Sequence, residues 1–114
     1  MSTDRMRRVD EAVREVLGDA VAKDLKDPRV GFVTVTDVKT SPDLRHAHVH
    51  VSVLGNEEER EASLEGLRSA HGYLQRRVAR ELRLKHTPEL DFVLDLTAER
   101  AFHLEEIIRR EVGE

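Results

Sequence analysis

Leu44-Arg45-His46-Ala47-His48-Val49-His50-Val51-Ser52-Val53-Leu54, residues 44–54, holds the alternation on which the fold turns. Ala47, Val49, Val51 and Val53 fall on one side, and His46, His48, His50 and Ser52 on the other. A side-chain period of two is that of a β-strand, and strict alternation gives the strand one buried and one polar face. Upstream, Ser41-Pro42-Asp43 reads as a turn, because proline pre-sets the backbone angle there. Before the turn, Gly31–Lys39 (GFVTVTDVK) is rich in β-branched residues and predicts another strand, with Phe32 in the core. These two strands make an antiparallel hairpin. Farther upstream, Met6, Val9, Val13, Val16, Leu17, Ala20 and Val21 recur at helical spacing and predict a helix over 4–25. Asp4 can cap it, and Pro28 stops it by disfavouring helical geometry at Asp27.

Downstream of Gly55-Asn56, a helical stretch runs from Glu57 to about Leu84, with Leu64, Leu67, His71, Leu74, Val78 and Leu82 on one stripe. Acids in its first turns and arginines in its last suit the helix dipole. Gly66 and Gly72 interrupt it, and the spacing predicts a kink at Ala70-His71-Gly72. Thr87-Pro88 is a loop, Leu90–Leu96 a third strand with Phe92 in the core, and 97–112 a last helix capped by Thr97. The connection from the second strand to the third passes through the long helix, so the pair is parallel if the strands are neighbours. The expected architecture is α+β, in the order α-β-β-α-kink-α-β-α: a mixed three-stranded sheet with helices packed on one face. The length suits one domain, 1–114, with its core over about 5–108 and fraying at the C-terminal end.

Composition excludes several classes. The chain has no cysteine, which removes disulfides, thiolate metal sites and cysteine nucleophiles. Met1–Arg8 is polar and basic rather than a secretory signal, and no run reaches the roughly 18 apolar residues of a membrane span. A soluble, cytoplasmic, monomeric protein is the expectation. The net charge of −4 disguises a segregated chain. Residues 57–65 hold five glutamates against one arginine, 66–88 six basic residues against Glu81, and 89–114 eight acids against three arginines. Nucleic acid responds to the local field, within a Debye length of roughly 8–10 Å, so the middle segment is the candidate contact surface.

Four separated motifs carry a family resemblance. They are Leu25–Val38 (LKDPRVGFVTVTDV), Ser41–Ala47 (SPDLRHA), Val51–Gly55 (VSVLG) and Thr87–Leu90 (TPEL). In this order and register they resemble the ribosome-binding factor A family, over about Arg5 to Ile108, and the element order resembles a type II KH domain, an RNA-binding fold. Ordinary KH domains carry a Gly-x-x-Gly loop that clamps the nucleic-acid backbone. Here the same place reads Ala70-His71-Gly72, similar to the Ala-x-Gly kink of the resembled family. The resemblance implies an assembly factor that binds the small ribosomal subunit and its 16S ribosomal RNA during late maturation, with no catalysis and no cofactor.

Candidate contact residues follow from charge and placement. Arg76, Arg80 and Arg83 share the helix side away from Leu74, Val78 and Leu82, and guanidinium groups grip phosphates bidentately. Arg68, Arg77 and Lys85 extend the cluster, with Glu81 the one acid expected to neutralise it. Arg45 and the N-terminal Arg5, Arg7 and Arg8 complete the basic face, and Ala70, His71 and Gly72 supply a close approach at the kink. Tyr73 is the one candidate stacking platform, so shape and phosphate contact outweigh base reading. His46, His48 and His50 share a strand face, but their Cα atoms stand about 6.5–7 Å apart, which strains a single metal site. No nucleophile elbow, phosphate loop or His-Glu-x-x-His helix occurs. The rival reading is a protein–protein module that uses the acidic terminal helix or an exposed sheet edge, and the acidic 57–65 segment or that helix is a candidate contact for a basic ribosomal protein.

Overall fold

The computed structural model describes residues 4–113. The hairpin is β1 (Val33–Thr40) and β2 (His46–Val53), paired antiparallel from Val33↔Val53 to Thr40↔Ala47. The helical stretch after β2 divides into α2 (Glu57–Ser69) and α3 (His71–Leu82), and β3 (Glu89–Leu94) returns parallel to β2, from His46↔Glu89 to Val51↔Leu94. The sheet order is therefore β1-β2-β3. The alternation in β2 is realised as read: Ala47, Val49 and Val51 are fully buried, while His46 and His48 are exposed.

α1 (Asp4–Lys23) lays Val9, Val13, Leu17, Ala20 and Val21 into the core. They meet the inward residues of the hairpin, Leu64 and Leu67 of α2, Leu74 and Val78 of α3, and Leu90 and Phe92 of β3. Burying each Val or Leu of this size contributes about 1.5–3 kcal/mol, so the layer of α1, α2 and α3 on one sheet face is the main source of stability. Polar ties fix its edges. Asp10 of α1 accepts both the N–H and the hydroxyl of buried Thr40, at 2.9 and 2.7 Å. Gln75 of α3 donates to Pro88 O and accepts from Leu90 N, setting the start of β3. Buried Ser63 accepts from Gly31 N and donates to Arg29 O, holding the 29–31 segment against α2.

The break between α2 and α3 falls on Ala70, at φ −88° and ψ 6°. Its N–H is shared between Gly66 O and Leu67 O, and its carbonyl accepts from Leu74 N, so Ala70 keeps both of its backbone groups bonded through the bend. α2 begins with a reciprocal cap: Asn56 accepts from Glu59 N, and the Glu59 carboxylate accepts from Asn56 N.

Several expectations are corrected. Phe32 is 80% exposed, because pairing begins at Val33 and Phe32 lies just outside the sheet, with its carbonyl accepting from Leu54 N. Thr97 does not cap the last helix, α4 (Thr97–Glu111); its N–H and hydroxyl donate instead to Asp95, two residues upstream. Asp4 is the first helical residue of α1 and pairs with Arg7. α4 stays outside the helical layer, with no buried side chain.

Candidate nucleic-acid interface

The turn between β1 and β2 is held by its own side chains. Asp43 Oδ1 accepts from Ser41 Oγ and from Arg45 N, and Leu44 N donates to Ser41 O. Together these force Leu44 into the left-handed region at φ 59°. Arg45 follows at once, and its carbonyl accepts from Glu89 N, which ties this turn to the start of β3. The C-terminus of α3 approaches the same end. Arg83 terminates α3 at φ 49° and ψ 39°, and Leu84-Lys85-His86 continues toward Pro88. Leu84 to His86, Leu44 and Arg5 from the start of α1 all line one pocket, and His86 also lines a shallower one beside Arg45 and Thr87. The fold thus gathers Arg5, Arg45 and Lys85 at one pole, from three distant stretches of sequence.

Arg76 and Arg80 stand along the exposed side of α3 that leads to this pole, while Leu74 and Val78 on its opposite side are fully buried. Arg5, Arg45, Arg76, Arg80, Arg83 and Lys85 form no ion pair among the described residues. Cations left unpaired near the end of a helix suit its negative pole and keep their charge available for an external anion. At Gly72 an added Cβ would stand 3.3 Å from the Arg76 guanidinium, so the glycine leaves room for that side chain to pass over the kink.

Arg77 is a correction. Its side chain is only 13% exposed, and it pairs with Asp24, with Glu81 at 2.5 Å and with Asp19 at 3.2 Å. Glu81 is therefore not the one acid that neutralises the cluster. Asp19 of α1 and Asp24, just past its C-terminal end, face α3 and clamp the helices together through Arg77, leaving it little donor surface for phosphate. The Tyr73 hydroxyl joins them, donating to Asp24 at 2.5 Å, so the expected stacking platform is tethered to the segment that ends α1.

The remaining candidates lie apart from the pole. Arg7 pairs with Asp4, and exposed Arg8 shares a shallow recess with them on α1. Arg68 and His71 line a groove along β3 with Glu89, Leu90, Asp91 and Phe92. Arg68 reaches the carbonyl of Phe92 at 3.4 Å. His71 Nε2 is buried 3.5 Å from Glu89 Oε1, near enough for an ion pair when protonated but without hydrogen-bond geometry, so it has no hydrogen-bond partner among the described residues. With two carboxylates beside one arginine, this groove is a weaker phosphate site than the pole. On the open sheet face, His48 Nδ1 lies 3.4 Å from Asp91 Oδ2. Among the described residues no three histidine or carboxylate side chains gather as a metal site would require. No described helix is long and apolar enough to cross a membrane. The sequence reading missed the part of His86, Pro42, Leu44 and Leu84 in forming the pole. Arg5, Arg45 and Lys85 were read as parts of one basic face, but the apolar lining beside them was not.

Residues 5–108 match the family profile of ribosome-binding factor A. This chain belongs to that family. Ribosome-binding factor A from an Anaeromyxobacter species is 50% identical over 111 residues, covering 96% of this chain and 91% of that one. The crystal structure of ribosome-binding factor A from Thermus thermophilus superposes with a TM-score of 0.69 at 27% identity, over 78% of this chain and 94% of that one. A homology-built Thermus thermophilus ribosome-binding factor A, fitted into a cryo-EM map of a complex with the 30S subunit, superposes with a TM-score of 0.64 at 28% identity. It covers 76% of this chain and 91% of that one. The ribosome-binding factor A fold is KH-like, and the α-β-β-α-α-β order with its mixed sheet is the one described above.

Proposed function

We propose that this protein is a cytoplasmic, monomeric, single-domain assembly factor that binds the small ribosomal subunit through its 16S ribosomal RNA and assists late maturation without catalysing a reaction. The observation that carries the reading is the set of cations, unpaired among the described residues, at one pole and along α3 of a protein with net charge −4. Arg5, Arg45, Arg76, Arg80, Arg83 and Lys85 contact phosphates, while Arg68, Ala70, His71 and Gly72 fit a bulge of the RNA against the kink. A factor of this kind works by preferring one conformation of the maturing RNA, since a ligand shifts an equilibrium only through differential affinity. The Thermus relative fitted to a 30S complex supports the small subunit as the partner. The test is a titration of the protein against small ribosomal subunits across a salt series. A slope of log affinity on log salt near −2 to −4 matches roughly three to six phosphate contacts; an affinity indifferent to salt contradicts them.

A second reading rests on α4, which exposes Phe102, Leu104 and Ile108 to solvent. In it, the terminal helix docks on a ribosomal protein. Its mark is binding to that protein, indifferent to salt and without affinity for RNA.

A further inference from the structure

The pocket at the basic pole has a composition that phosphate contact alone does not require. Pro42, Leu44 and Leu84 give it apolar walls, and Arg5, Lys85 and His86 stand at its rim, around a volume of about 190 Å³. Sites for whole drug-sized ligands run to about 300–1,000 Å³, so this one suits a single ring system. Its floor is built at a conformational cost. Leu44 and Arg83 are the only non-glycine residues with positive φ among the described residues; one lines the pocket and the other precedes Leu84. Left-handed backbone costs an L-residue roughly 1–2 kcal/mol, and such strain concentrates at binding sites. A carboxylate also belongs to the lining. Asp43 Oδ1 is occupied by Ser41 Oγ and Arg45 N, and those bonds hold its pKa below the usual carboxylate range. Oδ2 has no hydrogen-bond partner among the described residues and remains an ionised acceptor.

We propose that this pocket takes one unpaired nucleotide of single-stranded RNA, with its base against Pro42, Leu44 and Leu84 and its phosphate between Arg5 and Lys85. Asp43 Oδ2 accepts from the exocyclic amine of the base. An acceptor at that point selects adenine, cytosine or guanine over uracil, which offers carbonyl oxygens where the others offer amines. The protein then reads one base as well as shape. This proposal rests on the RNA-binding reading and extends it to a named site and ligand class.

The experiment uses the full chain with Leu methyl groups observed by NMR, titrated with pentacytidylate, pentauridylate and inorganic phosphate. Saturable shifts at Leu44 and Leu84 are expected with pentacytidylate, with about tenfold weaker binding of pentauridylate, whose one base donor, the ring N3–H, lies between two carbonyl oxygens that repel the carboxylate. Asp43→Asn retains the turn through its amide oxygen and puts a donor in place of Oδ2, so the preference should reverse toward pentauridylate. Equal shifts with inorganic phosphate overturn the proposal and make the pole an anion site only. Oligonucleotide shifts confined to α3, with Leu44 and Leu84 unmoved, overturn the pocket and leave the RNA-binding reading intact. Absence of binding to both oligonucleotides and small ribosomal subunits overturns the two together.

Discussion

Gly66 is buried in α2, where a Cβ would stand 2.5 Å from Cγ2 of Val30. In an exposed helix, Gly→Ala gains up to about 1 kcal/mol. Here the close approach reverses the sign, and Gly66→Ala should destabilise the protein by about 1–3 kcal/mol in chemical denaturation, as overpacking does. Two aspartates set the response to acid. Asp27, bonded to the Arg29 side chain and backbone, and Asp95, bonded to Thr97 and Thr36, are both held at about 2. A carboxylate depressed by folding contributes stability above its unfolded value of about 3.9, and the contribution is lost as pH falls through the folded value. Stability should therefore decline between about pH 4 and pH 2, and Asp27→Asn with Asp95→Asn should flatten that decline in urea titrations. At this scale the sequence was least legible. Nothing local separates Arg77 from Arg76, and only the packing of α1 on α3 brings Asp19 and Asp24 to one and leaves the other free.

At the scale of elements, the alternating 46–53 stretch carried the most information, since its period fixed both the strand and its buried face. The kink was legible too, because Gly66 and Gly72 interrupt the helical stripe on either side of Ala70. Strand and helix ends were not, because pairing partners decide them: Phe32 is outside the sheet although its neighbours are inside. The Asn56 and Glu59 cap is present in the sequence as Asn-x-x-Glu, a signal that the apolar periodicity does not pick up. Gln75 tests how α3 and β3 are coupled. Gln75→Ala removes its bonds to Pro88 O and Leu90 N and should cost about 1–3 kcal/mol by leaving two backbone groups unsatisfied. Arg77→Ala and Arg76→Ala separate the clamp from the surface proposed to face RNA. The first should lower the melting temperature and leave affinity for small ribosomal subunits unchanged once folded. The second should weaken that affinity with little effect on melting.

Across the whole molecule, charge segregation is what the sequence displayed and the fold made spatial. Acids fill the first turns of α2, Asp19 and Asp24 neutralise Arg77, and α3 and the pole keep cations without an ion pair among the described residues. Lysine and arginine counts in the linear segment overstated the surface by Arg77, and the reading that joined Arg45 and the N-terminal arginines to this face did not separate Arg5, which reaches the pole, from Arg7, which pairs with Asp4, because that depends on three chain segments arriving at one end of the sheet. The direct test of this account compares the protein with its Arg76→Ala, Arg80→Ala, Arg83→Ala triple variant in binding to small ribosomal subunits across a salt series. The variant should bind more weakly at low salt, with a slope shallower by about 2, near 0.7 for each phosphate that it no longer neutralises. A triple variant that folds and binds with the same affinity and slope would contradict it.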